Sequence, residues 1–148
     1  MKTQSYALFT LLAAVVIVCC SNTPAQSWTT EQIKQIEEIA QTIASQHNAN
    51  SKALLDDMTV STRAIAVSRN VRFENVLRVK KGLSSAKLKE FSDELRREIL
   101  PKACQQNANN PAFDRGLYYT FTYKNTYGEK LAEFNVDKKT CSLLRKEQ

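Results

Sequence analysis

Histidine and glycine are scarce in this sequence of 148 residues, and their scarcity excludes several kinds of chemistry. His47 is the one histidine, so neither a metal site built on several histidines nor a catalytic triad is predicted. Three isolated glycines cannot form a glycine-rich phosphate loop, and the nucleophile motif G-x-S-x-G is absent. We therefore expect no catalytic residue, no metal and no cofactor, and an enzyme is the less favoured interpretation.

One long apolar run stands at the start of the chain. Ala7–Cys20 has no charge, follows the single cation of Met1–Tyr6, and precedes the small polar segment Ser21–Ala25. This order is typical of a secretory signal peptide, and the run of about 14 residues is shorter than the roughly 20 that span a bilayer. We predict a signal peptide over residues 1–25 and a single α+β domain over 26–148, either periplasmic or secreted.

Cys19 and Cys20 allow a second interpretation, in which one of them carries a lipid that anchors the domain to the envelope. The residues before them are larger than those usual before a lipidated cysteine, so soluble export is favoured. Removing the leader takes Lys2 away and lowers the net charge from +6 to +5. That charge suits an envelope protein, a peptide or an anionic cell-wall or lipid polymer as partner, and export argues against nucleic acid.

Two cysteines remain in the exported domain, Cys104 and Cys141. Cysteine pairs in exported domains usually form disulfides, and the spacing of these two does not suit a metal site. We predict a bond that closes a loop of about 38 residues and contributes on the order of 3–4 kcal/mol to stability.

Hydrophobic periodicity divides the exported domain into two helices and two β-hairpins. Thr29 and Gln32 form a predicted capping box at the first helix, and Pro101 is expected to kink or end the second. The predicted elements are a helix from Thr30 to about Gln46, strands over 58–70 and 71–81 that turn at Arg69-Asn70, a helix from Ser84 or Ser85 to about Leu100, and strands over Leu117–Asn125 and Lys130–Lys138.

The order α-β-β-α-β-β predicts an α+β fold, in which one antiparallel four-stranded sheet carries two helices packed on one face. Alternation along the third strand turns Tyr119, Phe121 and Tyr123 toward the helices. Tyr118 and Tyr127 are then exposed with Lys124 beside them, a candidate surface for a sugar ring or a peptide.

Three other groups of residues keep alternative functions open. A candidate basic patch has a competing interpretation as a solvated helix face with i,i+4 ion pairs. The loop Asn107–Arg115 would be the inserting segment if the protein inhibits a protease or a cell-wall hydrolase. A small cell-wall hydrolase would need two carboxylates across a cleft. The basic patch is Arg78, Lys80, Lys81, Arg96 and Arg97, and the carboxylates are Asp56, Asp57, Glu74, Glu133 and Asp137.

Several short motifs resemble a known family. They are Leu100–Cys104 (LPKAC), Gly116–Phe121 (GLYYTF), Tyr127-Gly128, Phe134–Val136 (FNV) and Cys141, with Leu55–Thr59 (LDDMT) before them. This set resembles small secreted proteobacterial proteins of the quorum-sensing-regulated virulence factor type. The resemblance implies an α+β fold and a Cys104–Cys141 pair, and it supplies no catalytic residue. We predict an exported, non-enzymatic binding or accessory protein of the bacterial envelope.

Overall fold

The computed structural model describes residues 28–146, so the predicted signal peptide and the candidate lipid sites at Cys19 and Cys20 lie outside the described residues. The elements are α1 (Thr30–Ala49), a 3₁₀ turn (Ser51–Leu54), β1 (Thr59–Val67), β2 (Asn70–Leu77), α2 (Ser85–Gln106), α3 (Pro111–Asp114), β3 (Tyr118–Asn125), β4 (Lys130–Val136) and α4 (Lys138–Leu144).

Helix α1 begins at the predicted capping box. The Thr29 hydroxyl accepts the Gln32 amide proton, and the Gln32 side chain accepts that of Thr29. The buried stripe of the helix is Ile36, Ala40 and Ala44. The helix continues to Ala49, beyond the predicted end near Gln46, and side chains of its last turn bond to β1.

The sheet has the order β1-β2-β3-β4, and the predicted α+β fold is confirmed. Strands β1 and β2 are antiparallel, and so are β3 and β4, as two hairpins require. Strands β2 and β3 are parallel, however, with Asn70 opposite Tyr118 and Leu77 opposite Asn125. The sheet is therefore mixed, and the prediction of a wholly antiparallel sheet is corrected at this one pairing.

The length of α2 accounts for the parallel pairing. Its 22 residues extend about 33 Å, and the eight residues of β3 extend about 26 Å. A helix of that length carries the chain back along the whole sheet before β3 begins. A parallel strand pair needs such a helical crossover, whereas hairpin patterns within each half of the sequence leave the pairing between the halves undefined.

Helix α2 also passes through Pro101, which was expected to kink or end it. Proline lacks the N–H that an interior helical residue donates, so one backbone hydrogen bond is lost. Leu100 and Ala103, on either side of Pro101, are buried in the core, and Cys104 is held by a disulfide. These tertiary contacts keep the chain helical as far as Gln106.

The predicted disulfide joins Cys104 to Cys141, with 5.4 Å between the two Cα atoms. Cys141 lies in α4, a helix that the sequence analysis did not predict. The chain leaves β4 at Val136, and the Asp137 side chain accepts the Thr140 amide proton as the helix cap. The last strand is therefore shorter than the predicted range to Lys138.

Both long helices pack on the same face of the sheet, as predicted. Helix α1 lies against β1 and β2, and α2 lies against β4. Strand β1 is an edge strand, and Asn48 on α1 closes part of that edge. Its side-chain amide donates to the Ala64 carbonyl at 2.9 Å and accepts from the Ala64 N–H at 2.7 Å, in the way that a neighbouring strand would.

Candidate functional site

A cleft of about 600 Å³ lies between α1 and α2, with the inner face of the sheet as its floor. The cleft exists because α1 covers β1 and β2 while α2 covers β4, which leaves β3 open between the two helices. Phe121, at the centre of β3, is accordingly only partly buried. The floor is Phe73, Asn75, Tyr119, Phe121 and Tyr123, and the walls are Ile43, Gln46, His47, Asn50 and Leu54 on one side and Ala103, Gln106 and Asn107 on the other.

The floor of the cleft is a continuous aromatic surface. Phe73 stacks on Phe121 with 5.0 Å between ring centroids, and Phe121 stacks on Phe134 at 5.6 Å. Tyr119 meets Phe73 edge to face at 5.5 Å. Rings in these arrangements hold one another in place, so the floor offers a rigid apolar surface that a ligand does not have to order.

His47 stands at the α1 wall and is fixed by a short hydrogen-bond chain. The Thr62 hydroxyl donates to Asn75 Oδ1 at 2.8 Å and lies 2.8 Å from His47 Nε2. A hydroxyl has one proton, so Thr62 accepts from the histidine and the neutral ring carries its proton on Nε2. The ring also packs edge to face on Phe73 at 4.9 Å, and burial lowers the pKa of His47. The ring is thus a neutral, oriented wall of the cleft.

The α2 side of the floor is fixed in the same way. The Tyr119 hydroxyl donates to Asn107 Oδ1 at 3.1 Å, and Asn107 donates back to the Ala103 carbonyl at 2.9 Å. Burial raises the pKa of Tyr119, and burial together with the Glu98 carboxylate raises the pKa of Tyr123. Both phenols are therefore protonated at neutral pH and act as neutral groups.

The cleft lining contains no aspartate, glutamate, lysine or arginine among the described residues. Its polar groups are amides, two phenols and the single imidazole. Such a lining offers no pair of carboxylates for acid–base hydrolysis. It suits an apolar segment whose backbone or side-chain amides can bond to the amide groups along the walls.

The candidate carboxylates of the sequence analysis lie outside the cleft lining, and four of the five side chains have a partner. Asp56 accepts the backbone protons of Met58 and Thr59, and these bonds, that to Thr59 first, lower the pKa of Asp56. Glu74 pairs with an arginine of β1, and Glu133 accepts the Thr122 hydroxyl proton. Asp137 caps α4, and Asp57 accepts an arginine proton through its backbone carbonyl. The structure brings no two of them together across a cleft.

In the predicted aromatic surface, Tyr118 lies at the opposite end of β3 from Lys124 and Tyr127. Tyr118 begins β3, Lys124 is near its end, and Tyr127 lies in the turn beyond it, so the two tyrosines are separated by the length of the strand. Tyr127 is 65% exposed and carries Lys81 above its ring, 5.8 Å from the centroid. The sequence analysis had assigned Lys81 to the basic patch instead.

The residues of the predicted basic patch have different contacts in the structure. Arg78 donates to the Asp57 carbonyl beside β1, and Lys81 sits on Tyr127. Arg96 and Arg97 line a groove between α2 and α4, about three turns from the start of α2. Arg78, Lys80 and Lys81 follow β2 in the chain, whereas Arg96 and Arg97 lie in α2.

The loop Asn107–Arg115, the candidate inhibitory segment, is folded against the body of the protein. Asn110 caps α3, and Ala112 and Phe113 within that helix are buried. Within residues 28–146, no helix combines the length and apolar character that a bilayer-spanning segment needs. The described residues also contain no cluster of three or more histidine, cysteine or acidic side chains suited to a metal ion.

These features define a small α+β domain with a mixed sheet, helices on one face and an uncharged aromatic cleft between them. No family model and no curated protein sequence matches the chain. Three solved structures share its fold. The type II secretion pilotin EpsS of Vibrio vulnificus is 18% identical, with a TM-score of 0.60 over 76% of this chain and 97% of the pilotin.

The other two are also distant in sequence. The type II secretion pilotin AspS of Vibrio cholerae is 19% identical, with a TM-score of 0.55 over 75% of this chain and 96% of that one. A Pseudomonas aeruginosa protein described as secreted is 9% identical, with a TM-score of 0.60 over 77% and 99%. At these identities the comparisons establish a common fold.

Sequence reasoning missed the cleft because it depends on the space between two helices. The strand alternation did assign Tyr119, Phe121 and Tyr123 to the inner face, but it treated all three as closed core. The exposed Leu54 beside polar helix-end residues was the one local sign that an apolar surface continues there.

Proposed function

We propose that this chain is an exported, non-enzymatic accessory protein of the bacterial envelope, and that its cleft binds an apolar segment of a partner protein. The observation that carries the proposal is the uncharged aromatic cleft between α1 and α2, since its groups recognise apolar side chains and offer no acid–base pair. Two proteins of the same fold are pilotins of type II secretion systems, which supports an accessory role in an envelope assembly.

The cleft also has a suitable shape for an extended or helical segment. Its floor spans three aromatic residues of β3 in succession on one face, so it continues along the strand rather than ending as a round pocket. Amide side chains on both walls can accept or donate hydrogen bonds to a peptide backbone or to polar residues at its margin.

Leu54 and Leu55 provide a matched test of this binding site. Both are exposed, 48% and 43%, but Leu54 lines the cleft and Leu55 does not. We expect Leu54→Glu to abolish capture of a specific envelope protein from extracts of the producing bacterium, because it places a charge against an apolar ligand. Leu55→Glu should retain the partner. Equal retention by both variants would show that the partner does not use the cleft.

Fragments of the captured partner protein allow a second measurement. Proteolytic fragments of the captured protein can be titrated into the oxidised domain while the amide signals of Phe73, Phe121 and Gln106 are followed by NMR. Shifts centred on these residues support the proposal, whereas shifts confined to other surfaces contradict it.

The compartment and the domain boundaries are part of the same proposal. We infer that residues 1–25 are removed and that the mature domain starts at Gln26, with lipidation of Cys19 or Cys20 as the alternative. Mass spectrometry of the mature N-terminus distinguishes them, because a lipidated cysteine adds the mass of its acyl groups. That the chain belongs with the small secreted proteins of the quorum-sensing-regulated virulence factor type stays a prediction from the sequence resemblance.

A further inference from the structure

A second pocket, of about 470 Å³, lies between the last turns of α2, the short helix α3 and the helix α4. Its apolar walls are the Cys104–Cys141 disulfide, Phe113, Pro101 and Leu144. Phe113 is only 5% exposed and is held edge to face against Tyr119 at 5.0 Å. The volume is in the range of pockets that hold small ligands, roughly 300–1,000 Å³.

The two asparagine side chains on the lining are already used by the fold. Asn107 Oδ1 accepts from the Tyr119 hydroxyl and from Asn110 Nδ2, while Asn107 Nδ2 donates to the Ala103 carbonyl. Asn110 Oδ1 accepts the Ala112 amide proton. Because these donors and acceptors are satisfied within the protein, this part of the lining needs no hydrogen bond from a ligand.

The charges of the pocket are at its α4 side. Lys138 and Asp114 form an ion pair with 2.7 Å between Nζ and Oδ1, and both side chains are well exposed. Arg145 follows directly after α4 as its C-terminal cap and is also exposed. These three side chains carry a net charge of +1, so the pocket combines an apolar interior with a margin that favours an anion.

We propose that this pocket binds a single alkyl chain that ends in an anionic head group. The chain lies against Phe113, Leu144 and the disulfide, and the head group lies near Arg145 and Lys138. The same chemistry is offered by a free long-chain carboxylate and by an acyl chain of an anionic lipid. The proposal concerns a site separate from the cleft floor and does not depend on the proposed function.

Calorimetric titration of the oxidised domain with dodecanoate, with dodecanol as the uncharged comparison, tests the proposal. We expect saturable one-to-one binding of dodecanoate below its micelle concentration, and about tenfold weaker binding of dodecanol, since dodecanol lacks the anion. Arg145→Gln should reduce the difference between the two ligands. Absence of saturable dodecanoate binding by the wild-type domain would overturn the proposal.

Replacing either of two alanines by tryptophan tests whether the binding is specific to this pocket. Ala108 lines the pocket and is exposed, so Ala108→Trp can fill the pocket without entering the core. Ala86 is an exposed alanine in the first turn of α2 and does not line the pocket. Ala108→Trp should weaken dodecanoate binding by about tenfold or more, with Ala86→Trp unchanged. Equal binding by both variants, with thermal unfolding like that of the wild type, would contradict the assignment.

Vesicles of phosphatidylglycerol distinguish the two sources of the chain. If lipid acyl chains enter the pocket, the wild-type domain sediments with the vesicles and Ala108→Trp does not. If the ligand is a free carboxylate, dodecanoate binds and the vesicles do not. Vesicle binding that Ala108→Trp leaves intact, together with no response to dodecanoate, would refute the site.

Discussion

The contact between Asn48 and Ala64 leads to a specific prediction about stability. Ala64 is 4% exposed on the edge strand β1, and both of its outward backbone groups are satisfied by the Asn48 side chain. Replacing Asn48 by alanine removes both bonds at once. Within residues 28–146, no neighbouring strand lies on that side to take over these two bonds.

The magnitude follows from two opposing effects. Leaving a buried backbone donor or acceptor unsatisfied costs about 1–3 kcal/mol, and the lower part of this range applies because Asn48 itself is exposed and water can enter when it is removed. Alanine is the better helix former by up to about 0.7 kcal/mol, which offsets part of the loss. We therefore expect Asn48→Ala to lower the free energy of unfolding by about 1–2 kcal/mol.

Urea unfolding measures this change, and Asn50→Ala, at the residue that follows the same helix, is the control. The Asn50 side chain makes one exposed bond, to the Gln46 carbonyl, so its loss should change stability by less than about 0.5 kcal/mol. Hydrogen exchange adds a local readout, because the Ala64 amide should exchange faster in Asn48→Ala and remain protected in the control. An Asn48→Ala variant as stable as the wild type would refute the reasoning.

Three further predictions follow from other contacts. Replacing Cys104 and Cys141 by serine should lower the free energy of unfolding by about 3–4 kcal/mol, and a loss below about 1 kcal/mol in denaturant would contradict the loop-entropy account. The pKa of His47 is lowered in the folded state, so protonation favours unfolding. Stability should therefore fall as the pH drops below the ordinary value of 6.5. In thermal melts, His47→Gln, which keeps an N–H donor, should lose less stability between pH 7 and pH 5 than the wild type does. Gly116 and Gly82 both have positive φ, so alanine at either should cost about 1–2 kcal/mol. A much larger loss at Gly116 alone would show that the flexible arginine side chain packed on it cannot move.

Local patterns were sufficient to predict most of the elements. The capping box at Thr29 and Gln32 determined where α1 begins, because both partners lie within one turn of chain. The alternation of Tyr119 and Tyr123 with Thr120 and Thr122 identified the inner face of β3. Such patterns depend only on residues that are close in sequence. They predict the folded structure correctly because each local preference agrees with the final packing.

Other features depended on contacts between distant segments. Pro101 was expected to interrupt α2, but the buried residues beside it and the disulfide at Cys104 outweigh the loss of one hydrogen bond. The helix around Cys141 is only seven residues long and buries little else, so it left no periodic pattern to detect. The pairing of Glu74 with a β1 arginine and the bond of Glu133 to Thr122 likewise depend on the register between strands.

The sequence by itself determined the inner faces of the strands and the pairing of Cys104 with Cys141, because each of these follows from short-range pattern or from residue count. Only the tertiary structure decided that β2 and β3 run parallel and that α1 and α2 leave the centre of the sheet uncovered. The physical reason is that a cleft is defined by the distance between packed elements. That distance is set by helix length, crossover direction and side-chain volume acting together, and no single stretch of sequence encodes it.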